Sequence, residues 1–272
     1  MERSVIGESV QGASHIRNNK ECQDNYRKIV LEDGCIIIAV ADGHGSESCP
    51  FSKSGSMIAV NTFCRLVDEL HTSYLQSLDS LQTYFNREGE IKFAQAIDRE
   101  WKQHVLKAHT NAKRDAPLLS SGMKDKDAIY KQYGTTLLGF FIAKEYVFAF
   151  QIGDGDIMMV NSSQVDSVIQ SNKILGVETH SLCKNESWKS ACSTVCRLDS
   201  TLLPCVFMLS TDGFSNSYLN DDEFHKSCHD YFELIQEHGT EAIASHLKEW
   251  LSDTSAKGCG DDITTVFAHI IS

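Results

Sequence analysis

An α+β fold is predicted for this chain: a four-layer α-β-β-α sandwich, with two antiparallel sheets packed together and a helix pair outside each. Three observations carry that expectation. Runs with strand character come in adjacent groups and helical patterns in adjacent pairs, which favours antiparallel layers over repeated βαβ units. The stretches 35–41 and 205–210 are apolar almost without interruption, as strands buried on both faces must be. Of 272 residues, 42% are hydrophobic and only three are proline (Pro50, Pro117, Pro204), with no Gly/Ser-rich or Pro-rich linker. A single domain spanning 1–272 is therefore expected.

Taken in order, 5–10 and 26–31 suit strands. The run Cys35-Ile36-Ile37-Ile38-Ala39-Val40-Ala41 follows and stops abruptly at Asp42-Gly43-His44-Gly45, where two glycines permit a tight turn and close backbone approach. Met57, Val60, Phe63, Cys64, Val67 and Leu70 then form one stripe at helical spacing. Ala94, Ile97, Trp101, Val105 and Ala108 form another, with Asp68, Glu69, Asp98, Glu100 and Lys102 on the opposite faces. Phe63 and Trp101 read as core filling. Residues 110–133 are polar and mixed, and read as a loop. Strands return over 135–143, 146–152, 156–160 and 165–169, with Gly153-Asp154-Gly155-Asp156 as a short turn between two of them. The stretch 170–198 has weak periodicity and reads as an irregular insertion. A buried strand over 205–210 ends at Asp212-Gly213. Helices over 221–237 and 240–251 precede a last strand at 263–271.

Composition excludes several classes. A formal net charge of −12 argues against nucleic-acid or anionic-membrane binding, which need basic patches. The first residues lack the apolar core of a secretion signal, and no apolar run approaches the roughly 20 residues of a membrane span. A cytoplasmic location is expected. Ten cysteines without an export signal read as reduced thiols packed as small hydrophobes, with Cys35, Cys64 and Cys205 among apolar neighbours. His180, Cys183, Cys192 and Cys196 offer zinc-ligand chemistry, but their spacing matches no familiar zinc site.

The chemistry sits at four acidic corners. They are Cys22-Gln23-Asp24-Asn25, Ala41-Asp42-Gly43-His44-Gly45, Ser210-Thr211-Asp212-Gly213 and Gly260-Asp261-Asp262-Ile263-Thr264. Each puts a carboxylate at the end of a strand. Clustered carboxylates repel one another and desolvate at a cost unless a cation compensates. A site for hard divalent ions with oxygen ligands follows, built on Asp42 and Asp212 with Asp24 and Asp261 added. Two Mn²⁺ or Mg²⁺ ions there would suit in-line displacement at phosphorus. Gly43 has no side chain to keep its carbonyl from a metal, and His44 is placed to protonate a leaving oxygen. Taken alone, each Asp-Gly is an ordinary turn signal.

Together, and in this order, the segments resemble the metal-dependent protein serine/threonine phosphatases of type 2C. The matching pieces are Gln23-Asp24, Val40-Ala41-Asp42-Gly43-His44-Gly45, Gly134-Thr135-Thr136, Ile152-Gly153-Asp154-Gly155-Asp156, Leu209-Ser210-Thr211-Asp212-Gly213 and Asp261-Asp262-Ile263-Thr264. They span roughly 12–271. Gly12-Ala13-Ser14-His15 and Cys22-Gln23-Asp24 resemble the compact bacterial-style branch. The resemblance implies a β-sandwich flanked by helix pairs and a phosphorylated protein as substrate, with the chain acting as a monomer. It implies that Asp42 bridges two metals and Gly43 binds one through its carbonyl. Asp212 and Asp261 would hold one metal, and Asp24 would lie near the other through water. His44 matches the general acid, and Asp154 the position that helps hold a weaker third metal. The insertion 170–198 matches a flap over the site.

Three positions depart from the pattern. Asn19 stands where a phosphate-binding Arg is usual, with Arg17 and Lys20 as possible substitutes. Gln23 replaces an acidic residue beside Asp24, and Asn216 replaces an Asp of the third metal site. The expectation is hydrolysis of phosphoserine and phosphothreonine by a metal-activated water. The alternative is a catalytically impaired phosphatase-fold module that binds phosphoproteins or regulates a partner. A hydrolase of small phosphoesters is a third reading.

Overall fold

The run that is apolar at every position is buried at every position. In the computed structural model, which describes residues 2–170 and 180–271, β3 (Ile36–Ala41) has side chains packed on both faces. Ile36, Ile38 and Val40 point into the space between two sheets, while Ile37, Ala39 and Ala41 point toward helices. An extended chain alternates faces, so burial of both removes the polar alternation that an exposed strand would show.

The order along the chain is β1 (Arg3–Val10), α1 (Ala13–Arg17), β2 (Asn25–Val30), β3, α2 (Ser52–Ser73), α3 (Leu78–Glu88) and α4 (Ala94–Asn111). Then come α5 (Lys126–Lys131), β4 (Leu137–Ile142), β5 (Tyr146–Ile152), β6 (Asp156–Val160), β7 (Val165–Ser167) and β8 (Cys192–Arg197). Last are β9 (Cys205–Ser210), α6 (Asp212–Ser215), α7 (Asp221–Lys257) and β10 (Ile263–Ile270). One sheet has the order β1-β10-β9-β6-β7 and the other β2-β3-β4-β5-β8. All strand pairs in both are antiparallel. The predicted α+β sandwich is the observed one. Phe140 and Phe207 meet across the middle layer, their ring centroids 4.9 Å apart.

Helices cover the outer faces as expected, with additions. On the β3–β4–β5 face, Phe63, Phe85, Phe93 and Trp101 are fully buried, and Trp101 Nε1 donates to the Gly55 carbonyl at 3.0 Å. On the other face α7 packs through Phe224, Phe232, Ile235, Ile243 and Leu247. Gly239 (φ 77°) breaks α7 into the two helices expected there.

Three expectations need correction. A third helix, α3, lies between the two helical stripes, and it buries only Leu81 and Phe85, too few for a visible stripe. A π turn, Gly89–Phe93, joins it to α4. The loop read over 110–133 contains α5, whose N-cap Asp125 accepts from the Ala128 N–H at 3.0 Å. Part of the insertion read over 170–198 is ordered structure. A 3₁₀ turn (Ser187–Ser190) leads into β8, an edge strand paired to β5 from Tyr146↔Arg197 to Gln151↔Cys192. An edge strand with partly exposed faces needs no apolar run, so its pattern was silent. Residues 171–179 of that insertion lie outside the described residues.

Candidate active site

Strand register brings the acidic corners together. Asn25 pairs with Ala41, so Asp24 enters β2 beside the exit of Asp42 from β3. Leu137 pairs with Ile152, which puts the Gly153-Asp154 turn at the same end of that sheet. In the facing sheet, Ser210 pairs with both Thr265 and Asp156, so Asp212 leaves β9 where Asp261 and Asp262 lead into β10. The corners line a cavity of about 260 Å³ formed by His15, Lys20, Gln23, Asp42, Gly43, His44, Gly45, Ser46, Asp154, Asp212 and Asp261. Asp24 lies in the wall behind, 5% exposed.

Threonines hold the corners. The Thr135 hydroxyl and the Thr136 N–H donate to the Asp42 carbonyl at 2.7 and 2.9 Å, and the Asp42 N–H donates to Thr136 Oγ1 at 3.0 Å. Gly134-Thr135-Thr136 is thus a clamp on the Asp42 backbone. Thr211 Oγ1 donates to Asp24 Oδ2 at 2.8 Å while accepting from the Thr264 N–H at 3.0 Å. Two glycines are needed for close approach. A Cβ on Gly43 would fall 2.7 Å from the Gln23 carbonyl and 2.9 Å from that of Ser52; one on Gly213 would fall 2.1 Å from that of Asp262.

Electrostatically the cluster is strained. Burial, with Asp24, Asp212, Asp261 and Asp154 around it, pushes the Asp42 carboxyl well above the usual range. Burial and the charge of Asp262 push Asp24 up to about 8, against hydrogen bonds from Thr211 and Thr264. Asp24 Oδ1 is buried without a hydrogen-bond partner among the described residues. A buried acceptor left so costs free energy that a proton or a cation would recover. An all-oxygen donor set suits Mg²⁺ or Mn²⁺, which keep part of their water shell and take only a few carboxylates each. The residues present therefore fit such ions.

Several residues in and beside the motifs make contacts that the motif reading did not assign. Asp262, beside the expected ligand Asp261, points inward: its Oδ1 accepts from the Gly12 N–H at 2.6 Å and meets His15 Nδ1 at 2.8 Å, and its Oδ2 accepts from the Gln23 N–H at 2.8 Å. His15 Nε2 lies 3.7 Å from Asp261 Oδ1. Ser14 donates to the Gly260 carbonyl through both its N–H and its hydroxyl, so α1 is pinned to the last corner. Asn19 is exposed with φ 52°, a left-handed position that Asn tolerates well. Of the two basic candidates, Lys20 lines the cavity, with Nζ 3.4 Å from the Gly45 carbonyl, and Arg17 does not. Asn216 Nδ2 donates to Asp212 Oδ2 at 2.9 Å. His180, Cys183, Cys192 and Cys196 form no metal-ligating group among the described residues.

A family model, Protein phosphatase 2C, matches residues 11–252. The chain belongs to the protein phosphatase 2C family. By family it is a protein serine/threonine phosphatase. Comparison with curated proteins finds no match. Among solved structures it resembles the catalytic domain of the serine threonine protein phosphatase PstP in complex with two manganese ions (14% identity, 99% of each chain, TM-score 0.63). The Mycobacterium tuberculosis phosphatase PstP/Ppp is similar over all of both chains at 13% identity and TM-score 0.61. The S. agalactiae serine/threonine phosphatase matches 99% of this chain and 100% of its own at 14% identity and TM-score 0.59. At these identities the likeness is one of fold. A larger cleft of about 510 Å³ between β2, α2 and α4 contains Arg27, Arg65, His104 and Lys107, and Asp68 is its one carboxylate. The smaller cavity has the protein phosphatase 2C motifs and the chemistry.

Proposed function

We propose that this chain hydrolyses phosphoserine and phosphothreonine in proteins with two Mn²⁺ or Mg²⁺ ions. The observation that carries the reading is Asp42 at the centre of four other carboxylates, one of them with a buried, unpartnered oxygen. In this reading Asp42, Asp212, Asp261 and Asp24, with the Gly43 carbonyl, would hold the two ions, and Asp154 would serve a weaker third. Such ions, when bound, supply an activated water and offset charge on the phosphoryl oxygens.

The remaining work falls to the chain's own groups. Thr135 and Thr136 fix Asp42, and Thr211 orients Asp24. Lys20, with His15 beside the mouth, draws the phosphate dianion into a cavity that is otherwise acidic. His44 gives a proton to the departing seryl or threonyl oxygen. The segment expected as a flap is anchored at its described end, where the Leu182 N–H donates to the Thr135 carbonyl at 3.0 Å. That supports its placement beside the cavity.

No helix among the described residues is long and apolar enough to cross a membrane. With a net charge of −12, the reading is of a cytoplasmic monomer that acts on phosphoproteins and not on nucleic acid.

The test is hydrolysis of a phosphothreonine peptide with Mn²⁺ and then with EDTA, beside a nucleotide and a sugar phosphate. Metal-dependent turnover of the peptide supports the proposal. Preference for the small phosphates would move the reading to a small-molecule hydrolase. No turnover from folded protein with Mn²⁺ would move it to a binding module.

A further inference from the structure

Cys35 is not the plain hydrophobe that its apolar neighbours suggest. It sits in the turn before β3, its thiol 3.3 Å from Asp33 Oδ2, and its N–H donates to Asp33 Oδ1 at 3.0 Å. The same Asp33 Oδ2 lies 2.8 Å from Nε2 of His71, on the last turn of α2. One donor atom from each of Asp33, Cys35 and His71 lies within 4.8 Å of the others. The sulfur and the imidazole are buried, while the Asp33 side chain is 35% exposed and opens the trio to solvent.

We propose that Asp33, Cys35 and His71 form a second metal site, a clamp for a borderline-soft divalent ion of the zinc class. The donor set is one sulfur, one imidazole nitrogen and one carboxylate oxygen. That suits Zn²⁺ and not the hard ions of the Asp42 cluster. The spacing of the two donor pairs that share Asp33 Oδ2 fits as well. Ordinary Zn–S, Zn–N and Zn–O lengths in a tetrahedron put neighbouring donor atoms about 3.3–3.5 Å apart. The 3.3 Å S···O separation is already of that size, and the 2.8 Å N···O separation needs to open by only about half an ångström.

A second buried polar group lies in the same core. Ile36 pairs with Ile142, and Ile142 with Val147, so Cys35, Ala143 and Tyr146 lie in one row across three strands. Cys35 and Tyr146 share the helix-facing core with Ala143 between them. The Tyr146 hydroxyl is buried without a hydrogen-bond partner among the described residues, and Cys35 contributes to its electrostatic surroundings. With three protein ligands, the fourth position of a tetrahedral ion is left for water or for this hydroxyl.

The competing account is a purely hydrogen-bonded trio. In the metal-free chain, burial and then the Asp33 carboxylate push the Cys35 thiol up to about 12, so it is an inert thiol there. Binding would release the thiol proton to solvent and leave neutral His71 coordinating through Nε2, its proton on Nδ1. The Arg3 guanidinium donates to the Gly34 carbonyl at 3.1 Å and to that of Ala143 at 2.7 Å, and its charge favours the thiolate. Seven residue steps of nearly extended chain separate Cys35 from Asp42, about 23 Å at ~3.3 Å each. The clamp would thus tie the β2–β3 turn to the end of α2, remote from the phosphatase site.

The experiment is titration of the full, metal-free chain with Co²⁺, followed by displacement with Zn²⁺. The expected result is a thiolate-to-Co²⁺ absorption band that saturates on titration and is abolished in Cys35→Ser and His71→Gln. The band should survive in Cys49→Ser, whose thiol lies near His44 and Cys183 instead. Because the aspartate cluster offers no sulfur, its ions cannot produce the band, and the result is independent of the phosphatase reading. Asp33→Asn alters a partly exposed residue and should weaken Zn²⁺ affinity at least ~10-fold. Folded wild-type protein without the band, or a band that persists in Cys35→Ser, would overturn the proposal. Should Cys35→Ser fail to fold, unchanged Zn²⁺ affinity in Asp33→Asn would overturn it equally.

Discussion

Asp24 has one carboxylate oxygen bonded to Thr211 and the other buried without a donor. Its pKa, raised to about 8 by burial and by Asp262, exceeds the unfolded carboxyl value of about 3.8, so without metal the folded chain binds more protons than the unfolded one. The contribution of Asp24 to the stability of the chelated protein should therefore be fully present below about pH 4 and be lost as pH rises toward 8. Melting temperatures in EDTA between pH 5 and 8 would show the decline, and Asp24→Asn should flatten it. Added Mn²⁺ should reverse the trend, because the ions bind the charged carboxylates. Asp42→Asn should reduce phosphopeptide turnover to background with the fold retained; activity at the wild-type level would remove Asp42 from the metal-binding role. Lys20→Ala deletes a charge-assisted contact worth about 1.5–3 kcal/mol, so KM should rise roughly 10- to 100-fold with kcat less affected. An equal change in Arg17→Ala would count against Lys20 as the replacement for the missing Arg. Asp42 was legible because Asp-Gly after an apolar run is a local pattern. Lys20 was legible only as one of two candidates, and His15 and Asp262 only as motif members with no role, since nothing near them in the chain signals that they meet at the cavity.

At the scale of elements, strand ends do the positioning. Just after the end of β9 at Ser210, Gly213 passes so close to the Asp262 carbonyl that a Cβ there would fall 2.1 Å from it. Gly213→Ala would push the β9 corner away from the β10 corner. The expected cost is about 1–3 kcal/mol of stability, with a higher Mn²⁺ concentration needed for half-maximal activity. Denaturant melts and a Mn²⁺ activation curve together check this. An unchanged activation curve would show that the two corners tolerate separation. Strands β3 and β9 were legible as continuous apolar runs, β4, β5 and β10 as strand patterns, and α2 and α4 as stripes. Helices α3 and α5 and strand β8 were not. Each buries few side chains, and their stability comes from what they pack or pair against.

Across the whole molecule, the core and the site are separable. Phe85, on the unforeseen α3, stacks on Phe148 with ring centroids 4.0 Å apart and is edge-on to Phe93. Phe85→Ala should cost about 3–5 kcal/mol of unfolding free energy and leave the Mn²⁺ dependence of the folded fraction unchanged. A shifted Mn²⁺ dependence would mean that strain in the helical layer reaches the metal corner. The sequence alone determined the layers and the acidic corners, because continuous burial, helical stripes and Asp-Gly turns are all properties of neighbouring residues. Tertiary structure alone decided the rest. The register Asn25↔Ala41 sets Asp24 beside Asp42, Lys20 reaches the cavity where Arg17 does not, and His71 closes on Asp33 and Cys35. These juxtapositions join residues far apart in the chain, and they arise only when two twisted sheets and their covering helices settle into one packing.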